Sequence, residues 1–271
     1  MGDVAAALTR KPCHGISGRG DDLGNRGPRG QAVSGTGCPA RRAVSAAGCF
    51  AQTVGLLVLF SVARGFALLG PPAVSAGLLT AALIVVAWAA GASPDDLGAG
   101  RAHVRAGVRY GAAAFLAVLL VLLAAAAVPA ERGFLHDARA QVSGGRLAYE
   151  AVVSILLLTA IPEELAFRGV LLWSGARLWG KRRASFASSA LFGLWHVQPT
   201  LHTLARNQAL GDFSASAVGE ALLELAAVTA TFAAGLVFCW LRLRSKSLVA
   251  PVMAHAATNG LALVAAWFTL H

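Results

Sequence analysis

Apolar runs recur along the chain after a polar, glycine-rich opening, at about 50–70, 73–91, 109–129, 147–179, 185–201, 217–241 and 248–269. Most approach the ~20 residues that a helix needs to cross a bilayer core. The pattern predicts an all-α fold, a polytopic transmembrane helix bundle with about seven membrane segments, about six and about eight being the bounds. No internal repeat is visible. The fourth run would be about 50 Å long as one helix, too long for a straight perpendicular span of a ~30 Å core. Pro162, which lacks a backbone donor, is the expected bend, and Trp173 to Trp179 is expected to lie at the inner interface.

Charge settles how that run is counted. Basic clusters stand at Arg41/Arg42, Arg101/Arg105/Arg109, Lys181/Arg182/Arg183 and Arg242/Arg244/Lys246. One crossing for 147–179 puts all four on one side, which the positive-inside tendency makes cytoplasmic; two crossings would send the last two outside. The expected topology is therefore seven crossings, with the N-terminus in the cytoplasm and the C-terminus outside.

Composition agrees and narrows the partners. The chain is 56% hydrophobic and 13% charged, with a net charge of +10. The cations gather at the ends of apolar runs, so they read as topology signals; the lipid bilayer is the expected partner and nucleic acid is not. Frequent Ala, Gly and Arg with scarce Lys points to a GC-rich bacterial genome, hence a bacterial plasma membrane. Cys13, Cys38, Cys49 and Cys239 show neither metal-ligand spacing nor a disulfide framework. Residues 1–45 lack apolar periodicity and read as a disordered tail, 46–146 as N-terminal transmembrane helices, and 147–271 as the transmembrane region that carries the chemistry.

Within the apolar runs a few ionisable groups remain: Arg64, Glu150, Glu163, Glu164, Arg168, His196, Glu220, Glu224 and His255. A charge there costs ~2.5–3.5 kcal/mol on insertion scales, so each is expected to face the bundle interior and a partner. In "PEELAFR", Glu164 and Arg168 are four apart and suited to an ion pair, while Glu163 lies about 100° around the helix and cannot share it equally. Both glutamates can simply hold helices together. Alternatively, the spare carboxylate can serve as a general base. Arg64 is expected to snorkel or to pair with Glu150, and Glu220/Glu224 to form an interfacial stripe. The loop 202–216 is expected outside, with no chemistry.

His196 in "LFGLWHV" follows Phe192 by four and shares its face; His255 and Asn259 in "MAHAATNG" repeat that spacing. Each fits a hydrogen-bonded core residue or a helix-to-helix contact as well as a site. Together with Glu163 they offer a carboxylate, two imidazoles and an amide that could activate water and stabilise an oxyanion.

The three motifs, E-E-x-x-x-R at Glu163/Glu164/Arg168, F-x-x-x-H at Phe192/His196 and H-x-x-x-N at His255/Asn259, in that order on successive apolar runs, resemble the CPBP intramembrane proteases. That family includes CAAX prenyl endopeptidases and the bacterial bacteriocin-processing or immunity (Abi) proteins. The resemblance covers about 147–269. It implies an endopeptidase acting on a peptide or membrane-protein substrate. Glu163, helped by His196, would activate water, His255 and Asn259 would hold the oxyanion, Glu164 and Arg168 would support the first glutamate, and Phe192 would pack beside His196. It leaves open whether catalysis is metal-free or uses a divalent ion such as zinc. H-E-x-x-H is absent, so a metal would have to be assembled from Glu163, His196 and His255, and metal-free catalysis is the expectation. Two other readings use the same residues: a non-catalytic membrane scaffold or immunity protein, and a proton-coupled transporter. The active site is expected in a water-accessible cavity that opens toward the cytoplasmic half.

Overall fold

A computed structural model describes residues 44–66, 68–128, 140–204 and 216–271. The expected tail, apart from its last two residues, and most of the 202–216 loop lie outside the described residues. Everything described is helix or short connection, with no strand among the described residues.

α1 (Ala46–Gly65) starts where the Ser45 hydroxyl accepts from the Gly48 N–H, a hydrogen-bonded N-cap. α2 (Pro72–Ala89) opens on a proline, whose fixed φ suits the first turn and whose missing N–H costs nothing there. α3 (Pro94–Leu97) carries a capping box between Ser93 and Asp96, and a 3₁₀ turn leads from it into α4 (Val104–Ala127). The fourth run is one helical pass made of α5 (Gly144–Tyr149), a π-helical stretch (Glu150–Ala160), α6 (Ile161–Glu164), a second π-helical stretch (Leu165–Leu171) and the first part of α7 (Leu172–Trp195). α7 is interrupted at Gly180, where φ is +79°, a conformation that L side chains rarely adopt. The chain turns there and 181–195 returns. α8 (Val197–Leu204), α9 (Ala217–Ser245), α10 (Val249–Ala256), a π-helical turn (Ala257–Leu261) and α11 (Ala262–Leu270) complete the bundle.

Among the described residues five helices are long and apolar enough to cross a membrane: 46–65, 72–89, 94–127, 217–245 and 249–270. Their outward faces are apolar, with Leu59, Leu120, Val121, Leu225 and Phe268 among many exposed. In water such a surface would drive association; in lipid it is the solvated state. The pass 144–179 holds Glu163, Glu164 and Arg168, all buried, and 181–195 returns beside it. The molecule is an all-α integral membrane protein.

Pro162 does not break its helix. Flanking residues keep helical dihedrals, and the preceding π-helical stretch closes i to i−5 bonds, the Ile161 N–H reaching the Leu156 carbonyl. The longer step absorbs the missing donor, so the expected bend becomes a change of helical pitch.

Two ends of the bundle can be told apart by their ties. At one, Val44 N–H donates to the Ala89 carbonyl at 3.4 Å, Leu248 N–H to the Gly98 carbonyl at 2.8 Å, and Arg242 to the Asp96 carbonyl at 2.8 Å; the Phe50 and Trp179 rings meet edge to face. At the other, the Trp267 indole donates to the Val142 carbonyl at 2.8 Å, and the Gln198 amide spans the Ser61 carbonyl and the Gly65 N–H at 3.3 and 3.2 Å. The first end carries the basic clusters at 101–109, 177–183 and 242–246. The core between them is built on Leu83, Phe167, Val170, Leu171 and Ala250, each fully buried.

Candidate active site

The second π-helical stretch and the turn of helix before it deliver the central charges. Glu163 is 7% exposed, and Glu164 and Arg168 are fully buried. Arg168 donates from Nη1 to Glu164 Oε1 at 3.0 Å, the ion pair expected from the i, i+4 spacing. Its guanidinium lies over the rings of Phe192, Phe238 and Phe167, at 4.0, 5.1 and 5.7 Å from their centroids. Nε and Nη2 find no hydrogen-bond acceptor among the described residues, and ring faces take the place of water around the cation. Gly235 makes room for it: a Cβ there would stand 3.1 Å from Arg168 Nη2 and 3.0 Å from Ser189 Cβ.

Glu164 has a second partner, which the sequence reading did not assign. His255, 2% exposed, lies with Nδ1 2.8 Å from Glu164 Oε1. A carboxylate oxygen can only accept, so Nδ1 carries the proton and Nε2 is left with its lone pair. Phe238 stacks on the imidazole at 5.6 Å and Phe192 meets its plane edge-on at 5.7 Å.

His196 is fixed differently. The sequence places it inside an apolar helix, whereas α7 ends at Trp195 and His196 is the capping residue, with φ −86° and ψ −5°. A helix end leaves its last carbonyls unpaired. His196 Nδ1 donates to one of them, that of Phe192, at 2.8 Å, and the two rings touch at 4.4 Å between centroids. Its Nε2 is therefore also unprotonated in the neutral ring.

Both Nε2 atoms face the same carboxylate oxygen. Glu163 Oε2 is 4.0 Å from Nε2 of His196 and 3.9 Å from Nε2 of His255. It is buried and has no hydrogen-bond partner among the described residues. The other oxygen, Oε1, accepts from the Trp195 indole N–H at 3.0 Å. Trp195 is the contributor that the motif reading missed. The available signal was a tryptophan next to His196 in an apolar helix, where a buried indole N–H normally needs an acceptor.

Asn259 is not tied into this set. It lies in the π-helical turn after His255, is exposed, and its side chain makes no hydrogen bond within the described residues. The structure thus joins Glu163, Glu164, Arg168, Phe192, His196 and His255 around one point, with no hydrogen bond from the Asn259 side chain to any of them. Arg64 does not pair with Glu150, which is bridged by Arg146 instead. Glu224 has both carboxylate oxygens out of solvent without a hydrogen-bond partner among the described residues, and it takes no part in the cluster.

A cavity of about 350 Å³ ends at the cluster, with Glu163, Trp195 and Pro162 at its base. Its walls are Phe60 and Arg64 of α1, Ser75 and Leu79 of α2, and Ser154 and Leu158 of the first π-helical stretch. These belong to the last turns of α1 and the first turns of α2. The cavity therefore lies toward the end opposite the basic clusters, and not toward the basic end where the sequence reading placed its opening.

The cluster's donors, two imidazole nitrogens and a carboxylate oxygen, are of the kind that binds zinc. Among the described residues, however, no three His, Cys, Asp or Glu side chains are arranged to hold a metal ion. The separations near 4 Å suit a water hydrogen-bonded between Glu163 and an imidazole, since two ~2.8 Å bonds meeting near a right angle span that distance.

Comparison with known proteins places this region. Residues 146–261 match the family model described as type II CAAX prenyl endopeptidase Rce1-like. No curated protein and no solved structure matches the chain. The matched stretch contains every member of the cluster together with Asn259, and the family is one of intramembrane proteases. Over this stretch the chain is similar to the CPBP/CAAX-protease-like family.

Proposed function

We propose that the protein is an intramembrane endopeptidase in which Glu163 activates a water molecule for attack on a peptide carbonyl. The observation that carries this reading is Glu163 Oε2, buried, unpartnered and facing two unprotonated imidazole nitrogens at the base of a cavity. A water at that point donates one hydrogen to Glu163 and the other to His196 or His255. As it attacks, its proton passes to Glu163 and from there to the adjoining imidazole, and the imidazolium so formed becomes a donor to the oxyanion of the tetrahedral intermediate. Collapse of the intermediate breaks the C–N bond, and the same proton goes to the leaving amine.

Glu164 and Arg168 act through others. Glu164 holds His255 in the tautomer that aims Nε2 at Glu163, and Arg168 holds Glu164 by a 3.0 Å bond within an apolar shell. Trp195 holds Glu163 by its other oxygen. Asn259, whose amide is uncommitted, supplies a further donor to the substrate carbonyl. No step requires a metal ion.

The reading is tested by comparing newly formed protein N-termini in membranes that carry the wild-type chain with those carrying Glu163→Ala. Peptide ends that vanish in the variant, at equal accumulation in the membrane, support proteolysis. An unchanged set of ends with an unchanged biological effect would make the chain a non-catalytic member of the family.

A further inference from the structure

The two ends of the bundle differ in charge as well as in access. Ten lysines and arginines lie in 101–109, 177–183 and 242–246, all at the end tied together by Arg242 and Leu248. The opposite end has Arg64 and Arg146 among the described residues. Such an asymmetry orients a polytopic protein with its basic end in the cytoplasm.

Packing closes the basic side of the cluster. Between Glu163 and that end stand Ala166, Phe167, Val170, Leu171 and Ala250, all at 0% exposure. Close packing of this kind leaves few voids larger than a water molecule. On the other side the cavity reaches Glu163 past Leu69, Gly70 and Pro72, the connection between α1 and α2.

We infer that the site takes its substrate from the face of the membrane away from the cytoplasm, and that this substrate is a polypeptide segment displayed on that face or entering the membrane from it. The substrate half of the statement rests on the proteolytic reading above; the orientation half does not. The cavity walls suit such a segment. Phe60, Leu69, Leu79, Leu158 and Trp195 offer apolar surface, while Ser75 and Ser154 offer hydroxyls to a backbone that has left its own secondary structure.

The test uses the full chain in intact cells and a membrane-impermeant maleimide. Cys13 and Cys38 are replaced by Ser, and Cys49 and Cys239, both buried, are kept, with this parent as the unlabelled control. Single cysteines are then placed at the cavity mouth (Leu69→Cys), within the cavity (Ser75→Cys, with Thr159→Cys as a second reporter) and at the basic turn (Arg182→Cys). The inference expects the mouth and cavity positions to label in intact cells with no gain on permeabilisation, and Arg182→Cys to label only after it. Labelling of Arg182→Cys in intact cells with Leu69→Cys protected would overturn the orientation. Protection of both cavity reporters while Leu69→Cys labels would overturn entry by this route. These outcomes do not depend on activity, so they are separable from the fate of the proteolytic reading. Where Glu163-dependent cleavage is found, its sites are expected in segments outside the cytoplasm, and cleavage confined to cytoplasmic segments would overturn the substrate assignment.

Discussion

The indole of Trp195 donates to Glu163 Oε1 at 3.0 Å, across 32 positions of sequence, and leaves Oε2 of the same carboxylate facing two histidines. A carboxylate on a helix has several rotamers, and this one bond selects the rotamer that presents a lone pair to the cavity. A hydrogen bond to a charged group contributes ~1.5–3 kcal/mol. Trp195→Phe keeps the stacking on Phe60 and the edge contact with Phe167 while removing the donor. The expected result is a fall in kcat of roughly ten- to a hundredfold, with a drop in melting temperature smaller than that of Arg168→Ala.

Arg168 carries the largest structural burden. Removing one partner of a buried pair costs about 3–5 kcal/mol, because the other charge is left uncompensated. Arg168→Ala should therefore lower the stability of the purified protein sharply, Glu164 and the three phenylalanine faces both losing their cation. Arg168→Lys keeps the charge but not the planar group that lies over Phe192, so an intermediate loss is expected. Thermal unfolding in one detergent, followed for the three proteins together, checks the order.

Gly235 tests the same packing from the other side. A methyl group there would press on Ser189 and on Arg168 Nη2, and overpacking of this kind typically costs ~1–3 kcal/mol. Gly235→Ala is expected to lower the melting temperature and Gly235→Val to lower it further. Equal stability of all three would show that the guanidinium has room to move.

Metal removal separates two chemistries that share one set of side chains. With catalysis carried by Glu163 and the imidazoles, cleavage should persist after exhaustive dialysis against a strong chelator. Loss of activity, restored by zinc, would make Glu163, His196 and His255 ligands instead.

Much of this architecture was legible in the chain. Runs of apolar residues gave an all-α membrane bundle, and the i, i+4 spacing of Glu164 and Arg168 gave a pair that the structure contains. The three motifs pointed to the family that residues 146–261 match. What could not be read were relations between helices. The bond from His255 to Glu164 spans 91 positions and that from Trp195 to Glu163 spans 32, and no periodicity encodes either. Local pitch was also hidden. Pro162 signals a disturbed helix, but whether a kink or a π-helical stretch absorbs the missing donor depends on the packing around it. The helix end at Trp195 carries neither Gly nor Pro, so its capping by the His196 side chain was read as continuing helix.

The most direct test of the central claim is the rate at which purified Glu163→Gln cleaves a peptide that the wild-type chain cleaves, measured beside Glu164→Gln. Glutamine retains an acceptor for the Trp195 indole and the shape of the side chain, and it cannot take a proton from water. The account predicts that Glu163→Gln falls to background while its melting temperature stays near that of the wild type, and that Glu164→Gln loses stability as well as rate. Cleavage by Glu163→Gln at more than a small fraction of the wild-type rate would contradict it.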